Sequence, residues 1–304
     1  MPSLRLSDGG EPQTGSPADS ACPGRYDALM VASVGIRLRA IKARVLPRGG
    51  FDVLRQLLLL IGVYYAYRYT RGAVDGKAAE AFQNARDLIG IERSLNAFVE
   101  PTVQAWSNGQ QWTIDFASWM YVNAHFTGTW LALCFIYFFR NQSFYFVRNM
   151  FMIAMGIAIA GYVLYPTAPP RFLPEWGFTD SVSSFTGIPQ TDVTINALFN
   201  PFAAVPSMHV GFALLIGWSL ARLVRPRPLR IIFRCYPLLV TWVVVATGNH
   251  FWLDAFLGAC VAALSYLGAT RVARLHPDVW SFDTSRETSS RGTEAQAQAG
   301  VIAT

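Results

Sequence analysis

Residues 232–270 read IFRCYPLLVTWVVVATGNHFWLDAFLGACVAALSYLGAT, two long apolar runs that meet at a short polar turn. Arg234 and Asp254 are the only charged residues in this stretch. About twenty apolar residues cross the roughly 30 Å hydrocarbon core of a bilayer as a helix. The stretch therefore predicts two membrane-spanning helices joined by a tight turn at residues 248–250.

Similar apolar runs recur along the chain, in which 52% of the 304 residues are hydrophobic and only 14% are charged. A soluble domain carries about 25% charged residues. We predict an all-α fold, a polytopic membrane helix bundle of about six transmembrane spans. The predicted spans are 53–69, 113–139, 149–166, 206–223, 232–249 and 251–270.

The segment 77–100 has an amphipathic pattern that differs from the spans. Its apolar residues, from Phe82 to Val99, recur at helical spacing among charged residues that run from Lys77 to Arg93. We predict an amphipathic helix that lies in the membrane interface. A helix that packs on the bundle is the alternative.

Both ends of the chain have the composition of disordered segments. Residues 1–30 are rich in Gly, Pro, Ser and Asp and lack the apolar core of a signal peptide. Residues 281–304 include the polar run SRETSSRGTEAQAQAG. We predict a disordered, basic N-terminal segment at 1–50, a six-span membrane domain at 51–274 and a disordered C-terminal tail at 275–304.

Basic residues cluster on one side of the predicted spans. They precede the first span, follow the second, fourth and sixth, and are nearly absent from the loop 167–205, whose single basic residue is Arg171. Because such clusters mark the cytoplasmic side, we predict cytoplasmic termini and an extracytoplasmic loop 167–205. The formal charge of +6 is therefore a topology signal, and we predict no nucleic-acid partner.

Two histidines lie where chemistry is expected. His209 and His250 begin the fourth and sixth predicted spans, both on the predicted outer side. Asp254 follows His250 by one helical turn, so the two side chains share a face. Ionisable residues in a span are costly and are by default candidates for function. The alternative is a buried hydrogen bond that only locks two spans together.

A phosphate site is predicted beside these histidines. Pro206 suits the first turn of a helix, and the free amides of that turn attract anions. Ser207 adds a hydroxyl group, and Arg171 adds a planar guanidinium that matches phosphate. For Arg171, an arginine that reaches lipid headgroups is the alternative.

The motifs resemble a known family. Pro206-Ser207-Met208-His209 and the later Asn249-His250-Phe251-Trp252-Leu253-Asp254 are similar to the second and third signature motifs of the type 2 phosphatidic acid phosphatase superfamily. The run PTAPPR at 166–171, Asp115 and the run YVNAHF at 121–126 resemble the branch that contains inositol phosphorylceramide synthases. The resemblance covers residues 50–270. In two places the chain departs from the family: no lysine precedes Arg171 in the outer loop, and Val244 occupies the position of a third-motif arginine.

The resemblance implies a lipid phosphatase or phosphotransferase that needs neither metal nor cofactor. His250 would attack phosphorus and form a phosphohistidine, and Asp254 would orient its ring. His209 would protonate the leaving oxygen and then deprotonate the acceptor.

The resemblance also implies binding residues. Arg171, Ser207 and Asn249 would bind the phosphate. Asp115 and His125 would either bind the acceptor or lock helices together.

The implied substrates are a lipid phosphate donor and a polyol, a lipid or water as acceptor, at an extracytoplasmic site of an integral membrane protein of the plasma membrane. A long outer loop that carries Glu175, Asp180 and Asp192 would enclose the site and favour transfer over hydrolysis. A loop that only caps the bundle is the alternative. A metal-dependent membrane enzyme, with the two histidines and the aspartate as ligands, and a non-enzymatic transporter remain alternatives.

Overall fold

The computed structural model of the protein describes residues 34–35, 48–74, 76–188 and 202–283. Most of both predicted tails, and the part of the loop 167–205 that contains Asp192, lie outside these residues. Helices make up most of the described chain. They are α1 Gly49–Val74, α2 Ala78–Ser94, α3 Glu100–Asn108, α4 Gln111–Phe139, α5 Asn141–Leu164, α6 Ser181–Thr186, α7 Met208–Leu223, α8 Arg227–Ala246, α9 Trp252–Ala273 and α10 Pro277–Trp280.

Each predicted span corresponds to one helix, namely α1, α4, α5, α7, α8 or α9. Four of them, α4, α5, α8 and α9, are long and apolar enough to cross a membrane, and α7 is a shorter apolar helix. Large apolar side chains point outward from these helices: Leu238 is 72% exposed and Leu264 is 54% exposed. Lipid tails are as apolar as leucine, so a bilayer accommodates this surface. The prediction of an all-α membrane helix bundle is confirmed.

The two ends of the bundle differ in chemistry. One end carries His209 and His250 and is called the histidine end. Here α7 and α9 begin side by side, and the backbone N–H of Ser207 donates to the carbonyl of Asp254 at 2.9 Å. At the arginine end, α1 and α5 begin, and the Tyr145 hydroxyl donates to Asp52 beside Arg148. Successive spans run between these two ends.

A glycine sets the approach of α9 to the start of α7. A Cβ atom on Gly258 would lie 2.1 Å from the carbonyl oxygen of Ser207. Any larger residue would push the two helices apart, so the contact requires glycine, as is common where membrane helices pack closely.

The amphipathic segment forms α2, and its apolar face packs on the histidine end. Ala85, Leu88 and Ile89 are buried in one cluster with Phe178 and Phe251. These contacts agree with the alternative prediction, a helix that packs on the bundle. The short helix α3, which follows it, was not predicted.

The packed chain continues beyond the predicted boundary at residue 274. Helix α10 follows α9, and the Ser143 hydroxyl donates to the carbonyl of Asp283 at 2.6 Å. Phe282 packs against Phe146, with ring centroids 5.6 Å apart. Residues 275–283 of the predicted tail are thus part of the described, packed chain, and the domain boundary at 274 stays a prediction. Residues 284–304 lie outside the described part of the chain.

Candidate active site

The turn between α8 and α9 positions His250, which we call the central histidine. The N–H of Gly248 donates to the carbonyl of Val245 at 3.0 Å, and the N–H of Asn249 donates to the carbonyl of Val244 at 2.9 Å. These two bonds form a Schellman motif, which requires a left-handed residue after the helix. Gly248 has a φ of +66°, a value that glycine adopts at little cost. His250 follows directly and is held at the start of α9.

His250 is buried between two acceptors and a second histidine. Its Nδ1 lies 3.2 Å from Oδ2 of Asp254 and 3.1 Å from the carbonyl oxygen of Ala204. Both partners accept hydrogen bonds, so in the neutral ring the proton resides on Nδ1 and the lone pair on Nε2. That Nε2 faces Nδ1 of His209 at 3.2 Å. The arrangement gives His250 an unprotonated nitrogen with an oriented ring.

The loop between α5 and α7 supplies the Ala204 carbonyl through a short pairing of extended chain. The N–H of Thr167 donates to the carbonyl of Phe202 at 2.9 Å, and Thr167 and Ala203 form a parallel bridge. The loop segment before α7 is thereby fixed over the site, and its Ala204 carbonyl shares the Nδ1–H of His250 with Asp254.

Arg171 is tied to the same turn. Its backbone N–H donates to the Gly248 carbonyl at 2.8 Å, and its guanidinium donates to Oδ1 of Asn249. The amide of Asn249 donates in turn to Oγ1 of Thr247 at 2.7 Å. Asn249 therefore orients the Arg171 guanidinium. It also directly precedes His250 in the chain. Sequence reasoning assigned both residues to the phosphate and did not anticipate that they contact each other.

Several buried polar atoms at the histidine end have no hydrogen-bond partner among the described residues. Nε of Arg171, Oγ of Ser207 and Nε2 of His209 are in this state, as is Oδ1 of Asp254. Orphaned buried donors are costly, and an exception in a native protein calls for a reason. An anion with several oxygens would satisfy the arginine and serine donors.

The structure brings His125 into the site and leaves Asp115 outside this contact network. The His125 ring lies 5.2 Å from that of His209, and its Nδ1 is 2.9 Å from the hydroxyl of Tyr236. A π-helical turn at Met120–Ala124 precedes His125, and such turns are frequent at functional sites. Tyr121 stacks on His209 with centroids 4.7 Å apart.

Asp115 accepts a hydrogen bond from Gln111 at 2.8 Å and lines a polar cleft of about 280 Å³. This cleft adjoins the site through Gln104, whose amide donates to the carbonyl of Thr179 at 3.0 Å and lies against Gly248. The other polar residues that line it are Asn108, Gln111, Thr179, Ser181 and Ser184.

Within the described residues, no group of three or more histidine, cysteine, aspartate or glutamate side chains has an arrangement that could hold a metal ion. His250 directs Nδ1 at a carboxylate and Nε2 at another imidazole, so its two nitrogens face protein partners.

Sequence reasoning missed Glu92 and Glu100, which accept hydrogen bonds from the first turn of α9. A signal for Glu92 was present. It follows Leu88 by four residues and Ile89 by three, which puts a carboxyl group within the apolar stripe of α2.

Comparison with known families agrees with this geometry. The sequence matches the PAP2 superfamily over residues 86–268, more than half of the chain. The chain belongs to the PAP2 superfamily. The match contains the central histidines, Asp254 and Arg171, so the family resemblance read from the motifs is confirmed. Members are membrane lipid phosphatases and phosphotransferases, and this PAP2 protein is an integral membrane protein of that enzyme family.

Among curated proteins, the PAP2 chain is similar to the inositol phosphorylceramide synthase catalytic subunit aur1 of Schizosaccharomyces pombe. The two are 27% identical over 135 residues, which is 40% of this chain and 31% of the yeast protein. The chain thus matches about a third of that relative's length. No solved structure matches the chain.

Proposed function

We propose that the protein is a lipid phosphotransferase that works through a phosphohistidine on His250. One observation carries the proposal: the line of contacts from Asp254 through His250 to His209. A carboxylate that holds Nδ1–H leaves Nε2 free to attack, and a second imidazole stands at that Nε2 to handle protons.

In the first step, Nε2 of His250 forms a bond to phosphorus while the bond from phosphorus to the lipid oxygen breaks. The imidazolium form of His209 gives its proton to the leaving oxygen as general acid and becomes neutral. In the second step, His209 removes the proton of the acceptor hydroxyl, whose oxygen attacks phosphorus and releases His250. Asp254 stabilises the positive charge on the His250 ring in both steps.

The nitrogens of His209 and His250 are 3.2 Å apart, which leaves no room for a phosphoryl group. We infer that the substrate displaces this contact and that the rings separate when it binds. Arg171 and Ser207 then bind the phosphate oxygens with the donors that lack partners, and Asn249 holds the Arg171 guanidinium in place.

We propose transfer to an alcohol over transfer to water. His250 is only 4% exposed and Asp254 is 0% exposed, and a closed site restricts competing water. The polar cleft that Asp115 lines offers hydroxyl and amide groups to a polyol, and His125 would contact the acceptor near His209. The similarity to the inositol phosphorylceramide synthase subunit also supports transfer to an alcohol.

For the wider organisation, we propose a six-span catalytic domain with both termini in the cytoplasm of a plasma-membrane protein and the histidine end on the extracytoplasmic face. The basic residues at the arginine end support this orientation. Cysteines introduced at Ser183 and Arg227 test it, because only the first should react with an impermeant reagent added outside. The reverse labelling would place the site in the cytoplasm.

The mechanism is tested with purified protein and ³²P-labelled phosphatidic acid or phosphatidylinositol. We expect an acid-labile label on the wild type and on His276→Ala, a control at the exposed arginine end, and none on His250→Ala. Turnover by His250→Ala at the wild-type rate would contradict the nucleophile. Loss of activity in EDTA with rescue by zinc would favour the metal-dependent alternative.

The acceptor is tested in the same assay with inositol, lipid alcohols or water alone. We expect a phosphorylated or phospholipid-linked alcohol as product. If free phosphate were the product with every acceptor, the protein would be a lipid phosphate phosphatase.

A further inference from the structure

Two buried glutamates meet the start of α9, one turn from the central histidine. Glu92 from α2 is 1% exposed and Glu100 from α3 is 0% exposed. Oε1 of Glu100 accepts the N–H of Trp252, and Oε1 of Glu92 accepts the N–H of Leu253, both at 2.7 Å. The first amides of a helix have no partner within it. The two glutamates therefore cap α9 from distant parts of the chain.

The remaining oxygens of these two side chains require a proton. Oε2 of Glu92 and Oε2 of Glu100 are buried without a donor among the described residues, yet the two carboxyl groups are neighbours, because their Oε1 atoms accept the N–H groups of the consecutive residues Leu253 and Trp252. Two carboxylates cannot bond because neither donates. One proton between them satisfies both atoms.

Electrostatics favour the same state. Burial raises the pKa of Glu92 to about 9, and the hydrogen bond and charge of Glu100 and the charge of Asp254 add to the effect. The Leu253 N–H acts in the opposite direction. The ionisable groups that face Glu92 within the described chain are thus both acidic, Glu100 from α3 and Asp254 from α9. Like charges on neighbouring buried carboxyl groups disfavour simultaneous ionisation of the pair.

We propose that Glu92 and Glu100 share one proton, clamp the first turn of α9, and serve as positioning residues for Asp254 and His250. The clamp keeps one negative charge, which suits the positive end of a helix. It contacts neither histidine. It acts because Asp254 lies in the turn that the clamp holds, and Asp254 orients the His250 ring.

Loss of the shared proton would place three carboxylates around one helix start. Their repulsion would push α2 and α3 away from α9 and move Asp254. A displacement of about 1 Å at a reacting group lowers a rate about 10²-fold. The clamp therefore makes activity depend on a proton outside the catalytic pair, and this consequence rests on the proposed function.

The shared proton is tested without any activity assay, by infrared titration of the full chain in lipid nanodiscs. We expect a protonated-carboxyl band at neutral pH that disappears near the Glu92 pKa of about 9. The band should be absent in Glu92→Gln, whose amide replaces the protonated carboxyl. It should persist in Glu80→Gln, a control at an exposed position on the same helix.

Thermal stability gives a second readout of the same proton. Between the ordinary pKa of 4.5 and about 9, the folded chain holds a proton that the unfolded chain has lost, so its stability falls as the pH rises through this window. Glu92→Gln should flatten that slope, and Glu80→Gln should not.

The positioning role is tested by phosphate release from dioleoyl phosphatidic acid. We expect Glu92→Gln to keep the wild-type rate at neutral pH and to lack the wild type's fall above the pKa of Glu92. Glu92→Ala should lower kcat about 10²-fold with little change in KM. A structural role alone would leave the pH profile of Glu92→Gln unchanged.

A missing band at neutral pH, or a band that survives in Glu92→Gln, would overturn the shared proton. An alkaline fall that persists in Glu92→Gln would overturn the positioning role. If the wild type released no phosphate, the proposed function would fail, and the infrared and stability titrations would still decide whether the clamp exists.

Discussion

The bundle buries an aspartate at each end, and the two differ in how much of their hydrogen-bonding capacity is used. At the arginine end, Oδ1 of Asp52 accepts from Gln56 at 2.9 Å, and Oδ2 accepts from the hydroxyls of Tyr137 and Tyr145. At the histidine end, Oδ2 of Asp254 meets His250 at 3.2 Å and Oδ1 has no partner among the described residues.

The difference separates a fully hydrogen-bonded network from one that leaves buried polar atoms open. A buried polar network in which every atom is satisfied rigidifies a fold, and the Asp52 network joins α1, α4 and α5 in that way. Unsatisfied buried atoms cost stability and are therefore expected where a ligand will supply the missing partners. Arg171, Ser207 and His209 have such atoms around Asp254.

Of the substitutions that test this comparison, His209→Gln is expected to have the largest effect on the rate. Loss of a general acid lowers kcat by about 10²- to 10⁴-fold, so we expect a loss in this range for phosphatidic acid. With p-nitrophenyl phosphate, whose leaving group needs no proton, the loss should be much smaller. Rates of phosphate and nitrophenol release measure both, with His276→Gln as control. Equal losses on the two substrates would contradict the acid role.

A smaller effect is expected from Ser207→Ala. Removal of one donor to a transition-state oxygen costs about 10²-fold or more in kcat, and stability should hardly change because the Ser207 hydroxyl has no partner in the described part of the chain. Ser219→Ala on the same helix is the matched control, since its buried hydroxyl donates to the Leu215 carbonyl at 2.7 Å. It should keep the rate and lose about 0.5–1.5 kcal/mol of stability. The opposite pattern would mean that Ser207 only packs.

The smallest effect on the rate is expected from Asp52→Asn. This change removes an acceptor from the Asp52 network, and we expect the free energy of unfolding to fall by about 1–3 kcal/mol while kcat per folded molecule stays unchanged. Denaturation in micelles and phosphate release measure the two quantities. A loss of kcat at full stability would show that the arginine end participates in catalysis.

The sequence alone was sufficient to predict features that depend on residues close together in the chain. The apolar runs predicted the six main helices of the bundle, four of which are long and apolar enough to cross a bilayer, because the length and hydropathy of a run decide whether it can cross. The turn at Gly248 and the pairing of His250 with Asp254 were also predicted, because residues one helical turn apart meet on one face.

Contacts between distant segments were not predictable in this way. The contact of Arg171 with Asn249, the place of His125 beside His209, and the capping of α9 by Glu92 and Glu100 join residues far apart in the chain. Spacing along α4 put Asp115 and His125 on one helix. It could not show that only His125 faces the histidines, since that depends on how α4 packs against α7 and α8.

By itself, the sequence determined that this chain is an all-α membrane bundle of the PAP2 superfamily with two histidines and an aspartate at one end, since hydropathy and motif spacing are properties of the chain. Only the tertiary structure decided which buried polar atoms find partners. Satisfaction of a hydrogen bond depends on distances of about 3 Å between atoms, and such distances between separate helices are set by packing. Within the described chain, that packing leaves Oδ1 of Asp254 without a hydrogen-bond partner and gives both carboxylate oxygens of Asp52 a donor.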